Sequence, residues 1–214
     1  MRRVYIASGA DDRLKQYFEL SGFEVEPVST SGIVSGPVSD HPDMFMCRLG
    51  ISDDAPLISY RGKGLSPGYP SEAAFNAACT GRYFIHNLKC TDSFLLAEAR
   101  RLGMVLVNVK QGYAKCSTVI VDENSVITYD FGIVRRCTAA GMNVLQISPG
   151  HVLLKGYGCG FIGGASGRIG NTVFFNGDLP AHPDFRAIRD FIEERGISVK
   201  WFSDWPLTDI GTII

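Results

Sequence analysis

Residues 113–132 read YAKCSTVIVDENSVITYDFG, and how this stretch parses decides the fold. Two alternating runs, 117–121 and 126–129, flank the turn-forming Asp122, Glu123 and Asn124, so the stretch is strand, tight turn, strand. The continuation FGIVRRCTAAGMNVLQI (131–147) carries apolar residues at helical spacing as far as Gly141 and then gives way to another strand. The unit is strand, strand, helix, strand.

The same order recurs along the chain. VFFNG (173–177) precedes FRAIRDFIEERG and ISVKWF, YFIHN (83–87) precedes SFLLAEARRLG and MVLVNV, and VYIAS (4–8) precedes DRLKQYFELSG and FEVEPV. Strands beginning at 83, 126 and 173 are spaced 43 and 47 residues apart, a period typical of repeat architectures. The 79 residues between positions 4 and 83 leave room for two units. That interval holds a further hairpin, MFMCRLG and APLISY closed by SDDAP, followed by RGKGLSPGYP where the other units carry a helix. The first strand lacks a hairpin partner, while the chain ends in an orphan strand, DIGTII (209–214). Joining the two completes a unit. The expected fold is one α/β domain over residues 1–214, a five-fold pseudosymmetric α/β propeller of ββαβ units. One unit lacks its helix, and the C-terminal strand closes the ring, which removes exposed sheet edges.

A chain of 214 residues with 45% hydrophobic and 20% charged residues can bury a sizeable core. The net charge of -1 and the absence of a Lys and Arg cluster argue against nucleic acid as a partner. No run approaches a signal peptide's apolar region or a membrane span, so a cytoplasmic protein that leaves the membrane alone is expected. Six cysteines stand far apart without a C-x-x-C pair, which excludes a zinc knuckle or redox motif and predicts mostly buried, reduced thiols. No cofactor and no metal site is expected, and the oligomeric state is open.

The repeated architecture, together with VKQGYAKCS, GFIGGASG and DIGTII, resembles the penteins. This is the guanidine-modifying-enzyme superfamily of arginine deiminases, amidinotransferases and dimethylarginine hydrolases, whose five ββαβ units surround a central channel. The likeness covers the whole chain and is greatest to a bacterial branch without an assigned activity. A non-catalytic translation initiation factor that binds a ribosomal subunit shares the ring, so function rests on the site and not on the fold.

In such a ring the first strand of each unit faces the axis; here these are DMFMCR, EAAFNAA, KCSTVIV, GASGRIG and DIGTII. Their polar residues around the channel are Asp43, Glu72, Lys115, Cys116, Ser117, Ser166, Arg168, Asp209 and Thr212, and His41, in the HPD that leads into the first of these strands, is a further site candidate. The resemblance puts the arginine-binding carboxylates of the enzymes on Asp43 and Glu72, which would suit the fork of a guanidinium. It puts their general-base histidine on Lys115, and their nucleophilic cysteine within DIGTII, which contains none. Both are departures from deiminase chemistry. Cys116 is the candidate replacement thiol, but alternation along a strand predicts that Lys115 and Ser117 face the channel while Cys116 packs behind it.

GYGCGFIGGASGRIG (156–170) contains G-x-G-x-x-G, yet a hairpin and not a helix follows, so the glycines are expected to serve tight turns or close approach instead of a dinucleotide. The second HPD, at 182–184, is expected to cap a helix, and His86 and His151 to be structural or solvated. Three functions remain. The first is binding of a small cationic or zwitterionic ligand in the channel, with Asp43, Glu72 and Asp209 supplying charge. The second is an enzyme on a guanidino or amide-like substrate, with Lys115 as base or electrostatic stabiliser and Cys116, Ser117 or Ser166 as nucleophile. The third is a protein-binding scaffold.

Overall fold

A computed structural model describes residues 2–29 and 32–214. It is a mixed α/β structure in which, among the described residues, four α-helices accompany five small sheets of two or three strands. In chain order, β1 (Arg2–Ala7), α1 (Asp12–Leu20) and β2 (Phe23–Val28) form the first unit, with β1 and β2 parallel. The hairpin of β3 (Met46–Arg48) and β4 (Leu57–Ser59) follows without a helix. The third unit is β5 (Ala78–Cys79), β6 (Tyr83–His86), α2 (Ser93–Arg101) and β7 (Val105–Asn108). β8 (Thr118–Ile120), β9 (Ser125–Thr128), α3 (Phe131–Ala139) and β10 (Asn143–Gln146) make the fourth. β11 (Ser166–Ile169), β12 (Thr172–Phe175), α4 (Phe185–Glu193) and β13 (Ser198–Lys200) make the fifth. In each of the last three units the first pair of strands is antiparallel and the strand after the helix is parallel to the second.

The helices repeat one packing device. Each buries two residues four apart, Leu14 with Phe18, Leu95 with Ala99, Ile133 with Cys137, and Ile188 with Ile192, so a single apolar stripe packs into a core shared by its own sheet and a neighbouring unit. Aspartates 11, 92 and 130 cap three of them by accepting from Arg13 N, from Phe94 N and Leu95 N, and from Ile133 N. Asp184 occupies the corresponding place before α4 but caps nothing in the helix; its carboxylate accepts instead from Ser148 N at 2.6 Å, and its own N–H donates to His182 Nδ1. The helix start at the second HPD is thus as expected, whereas the capping bond is not.

DIGTII is not a regular strand. It is nonetheless held by its backbone, since Tyr5 and Ile214 exchange N–H···O bonds of 2.7 and 3.1 Å, the pattern of an antiparallel pair, and Ile213 N donates to Ser166 O. Ile210, Ile213 and Ile214 are all buried. No helix of the described residues is long and apolar enough to cross a membrane.

Candidate functional site

Three separate stretches, two of them turns just before β3 and β8 and the third the irregular C-terminal segment, converge on one buried cluster. The 3-10 turn Pro42–Met44 carries Asp43, whose N–H donates to Gly211 O at 3.2 Å. Residues 114–117 form a helical turn before β8, closed by Ser117 N to Tyr113 O and Thr118 N to Lys115 O, each 3.0 Å. Asn76 stitches the two together: its Oδ1 accepts from Lys115 N and Cys116 N at 2.9 and 3.0 Å, and its Nδ2 donates to Cys116 Sγ at 3.2 Å and to Met44 Sδ at 3.6 Å.

This turn overturns the alternation argument. Alternate facing presupposes extended backbone from residue 115, but β8 begins at Thr118, and in the turn Lys115 and Cys116 both reach the interior. Cys116 Sγ donates to Asp43 Oδ2 at 2.9 Å; Lys115 Nζ donates to Thr212 Oγ1 at 2.6 Å and lies 3.4 Å from Gly163 O. Ser117, expected to share the channel with Lys115, is wholly buried with its hydroxyl unpartnered.

The C-terminal segment supplies Asp209. Its carboxylate accepts from Phe161 N and Gly211 N at 2.9 and 3.0 Å, and Oδ1 lies 3.8 Å from His41 Nδ1. Two glycines make the approach possible: a Cβ on Gly164 would fall 2.0 Å from Asp209 Oδ1, and one on Gly211, at φ +66°, would fall 2.1 Å from His41 Cβ. Within G-x-G-x-x-G, a Cβ on Gly160 would fall 2.6 Å from Asp209 Cβ and one on Gly163 2.3 Å from Lys115 O, so these two serve close approach while Gly158 has open space, and β11 follows instead of a helix.

Donor atoms of His41, Asp43 and Cys116 all lie within 4.8 Å of one another. Burial sets their protonation. It raises Asp43 to about 6 against the lowering effect of the Cys116 hydrogen bond and Lys115, and raises Asp209 to about 6 despite His41. Burial and the neighbouring carboxylates push the Cys116 thiol well above its ordinary value, whereas burial pushes His41 down in spite of Asp209 and Asp40. Although His41 and Asp209 stand at ion-pair distance, the imidazole is neutral at rest, because the desolvation of a site 3% exposed outweighs a carboxylate 3.8 Å away. Lys115 is likewise lowered by burial.

Cys116, His41 and Asp209 line a cavity of about 210 Å³ whose walls are Tyr113, Tyr157, Phe161, Leu154, Met44, Val38 and Cys159. Phe161 stacks on Tyr129 at 6.0 Å, which fixes one wall. Next to it a cleft of about 610 Å³ shares His41, Leu154 and Asp209 and adds Asp40 and Lys155.

Other expected residues lie elsewhere. Glu72 is fully engaged: it accepts from Ser35 N and Oγ, Gly68 N and Tyr113 Oη, so it braces a wall of the cavity and is not aimed into it. Ser166 and Arg168 line a second, narrower cavity together with Arg48, Lys115 and Ile214. Ser166 Oγ donates to Gly163 O, Ser166 O accepts from Thr212 Oγ1, and Arg168 donates to Val121 O and Gly170 O. Thr212 thus links Lys115 to β11 and does not reach the aromatic cavity. His86 is structural, held at 2.7 Å by both Thr91 Oγ1 and Gly112 O, and His151 is exposed. All six cysteines are unpaired, and four are buried. Asn76 was assigned no role by sequence reasoning; the one signal for it is a lone amide within the apolar run AAFNAAC, where a buried side chain must find several partners.

Fold and site together define a mixed α/β protein with a buried cysteine, histidine and carboxylate cluster beneath an aromatic cavity. The chain belongs to a family of unknown function, DUF6873, whose model matches residues 58–214. The matched part contains Lys115, Cys116 and Asp209, while His41 and Asp43 precede it. No curated protein and no solved structure matches the chain.

Proposed function

We propose that the five units close into a ring of the pentein kind and that the cluster at its centre is a thiol site acting on a small cationic or zwitterionic amidino or guanidino compound. Ring closure is supported by the reciprocal bonds of Tyr5 and Ile214, which supply the antiparallel partner that the first unit otherwise lacks. The chemistry is carried by one observation: Cys116, His41 and Asp209, a thiol, an imidazole and a carboxylate from three chain segments, line one small aromatic cavity, and Asp43 backs the thiol by accepting its hydrogen bond. Asp209 and the aromatic rings suit the planar, delocalised head of an amidinium. The opposite charges of Asp40 and Lys155 in the adjoining cleft suit a zwitterionic tail. Unpaired cysteines throughout fit a reducing, cytoplasmic setting.

At rest the thiol is protonated. A cation entering beside Asp43 and Asp209 favours the thiolate, so the ligand itself activates Cys116. Sγ then bonds to the amidino carbon as its proton passes to Asp43 Oδ2, and His41, which lines the cavity, delivers a proton to the nitrogen whose bond to carbon breaks. Water then adds to the same carbon, the C–S bond breaks, and one water proton returns to Sγ, which restores the thiol. The test is to incubate the protein with a series of guanidino and amidino compounds, quench in acid and map adducts by mass spectrometry. An amidino adduct on Cys116, absent from a folded Cys116→Ser variant, is expected; turnover that survives Cys116→Ser would refute the thiol mechanism.

A further inference from the structure

We propose that His41, Asp43 and Cys116 form a binding site for a soft divalent cation of the zinc class, with its remaining coordination position open to the aromatic cavity. The inference concerns binding alone and stands whether or not the site turns over an amidino compound.

The geometry is the first ground. Zinc bonds of about 2.0–2.3 Å in a tetrahedral arrangement place ligand atoms roughly 3.3–3.8 Å apart. The three donor atoms already lie within 4.8 Å of one another, on side chains 1–3% exposed, so rotamer adjustments suffice to close the shell. The second ground is an unmet need: His41 Nδ1 and Asp43 Oδ1 are buried without any hydrogen-bond partner. Two unsatisfied polar atoms in one cluster are costly, and a cation between them satisfies both.

Donor chemistry selects the ion. Thiolate, imidazole and one carboxylate suit zinc and disfavour calcium or magnesium, which take oxygen ligands. An outer shell is also present: Asn76 Nδ2 donates to Cys116 Sγ, as expected around a metal-bound thiolate, and Asp209 adds negative charge 3.8 Å from His41 Nδ1. Lys115 does not compete, because its ammonium is bonded to Thr212 Oγ1. Bound there, the ion masks the thiol and acts as an inhibitor of any reaction at Cys116.

Cobalt(II) titrated into metal-free protein tests this directly. To remove the exposed thiol that shares the cavity, the titration is made in a Cys159→Ser background. One equivalent of cobalt should give an intense near-ultraviolet thiolate-to-cobalt band that zinc displaces, and Cys116→Ser or Asp43→Asn should weaken binding by at least about 100-fold. Because a variant can fail to fold, a second measurement uses the parent protein: zinc should protect Cys116 from alkylation while leaving Cys159 reactive. No thiolate band, a band that persists in folded Cys116→Ser, or alkylation of Cys116 unaffected by zinc would each overturn the site.

Discussion

Asp43 bears the largest cost in the cluster, since a carboxylate 1% exposed must be held with a thiol as its closest donor. Its folded-state pKa, raised by burial to about 6, means the folded protein prefers the protonated acid. That contribution to stability is complete below the ordinary carboxyl value of about 4 and is lost as pH rises through 6. The permanently neutral Asp43→Asn should therefore melt at least about 3 °C above the metal-free parent at pH 8, with the gap shrinking towards pH 4. A variant that melts lower at pH 8 would show that the carboxylate is stabilised by a partner. At this scale the sequence was half legible. Asp43, His41 and Asp209 could be picked out because each stands just before or at the start of a stretch that the sequence reads as a strand. Cys116 was misdirected because strand alternation does not apply within a turn, and Asn76 escaped because an amide's hydrogen-bond demand shows only once its neighbours are known.

The elements that were readable are those whose information is local. All four helices and their following strands were marked by apolar spacing and a closing glycine, and three hairpins by turn residues between apolar runs, whereas EAAFNAA, expected to be a strand, begins in the 3-10 turn Ser71–Ala73 and reaches β5 only at its last residue, Ala78. The irregular pieces were not, because 3-10 turns such as Pro42–Met44 and Ser71–Ala73 are too short to leave a period. The glycine-rich segment is where element and site meet. Within it Gly158 has open space around a potential Cβ, whereas one on Gly164 would collide with the Asp209 carboxylate. Gly158→Ala should leave the melting temperature within about 1 °C, while Gly164→Ala should lower it by several degrees and slow Cys116 chemistry. Equal effects of the two would contradict the assignment of Gly164 to the approach of Asp209. A phosphate-cradle role would instead make Gly158 sensitive.

Across the whole molecule, the C-terminal segment connects three things: it pairs with Tyr5, hydrogen-bonds to β11 and brings Asp209 to His41 and Thr212 to Lys115. Deleting residues 207–214 should unfold or oligomerise the protein, because buried isoleucines and backbone donors lose their partners together. A monomeric truncation with an unchanged melting temperature would refute ring closure. The central claim, a thiol activated by a cation held beside carboxylates, is tested most directly by comparing two alkylating agents of similar size, 2-chloroacetamidine, which is cationic, and neutral 2-chloroacetamide. Cys159, exposed and in the same cavity, reports intrinsic reactivity. With metal-free protein at pH 7, site-resolved mass spectrometry should show the amidine modifying Cys116 at least about tenfold faster relative to Cys159 than the amide does, a difference of about 1.4 kcal/mol. Equal ratios for the two reagents, or Cys116 inert to both in folded protein, would contradict the account.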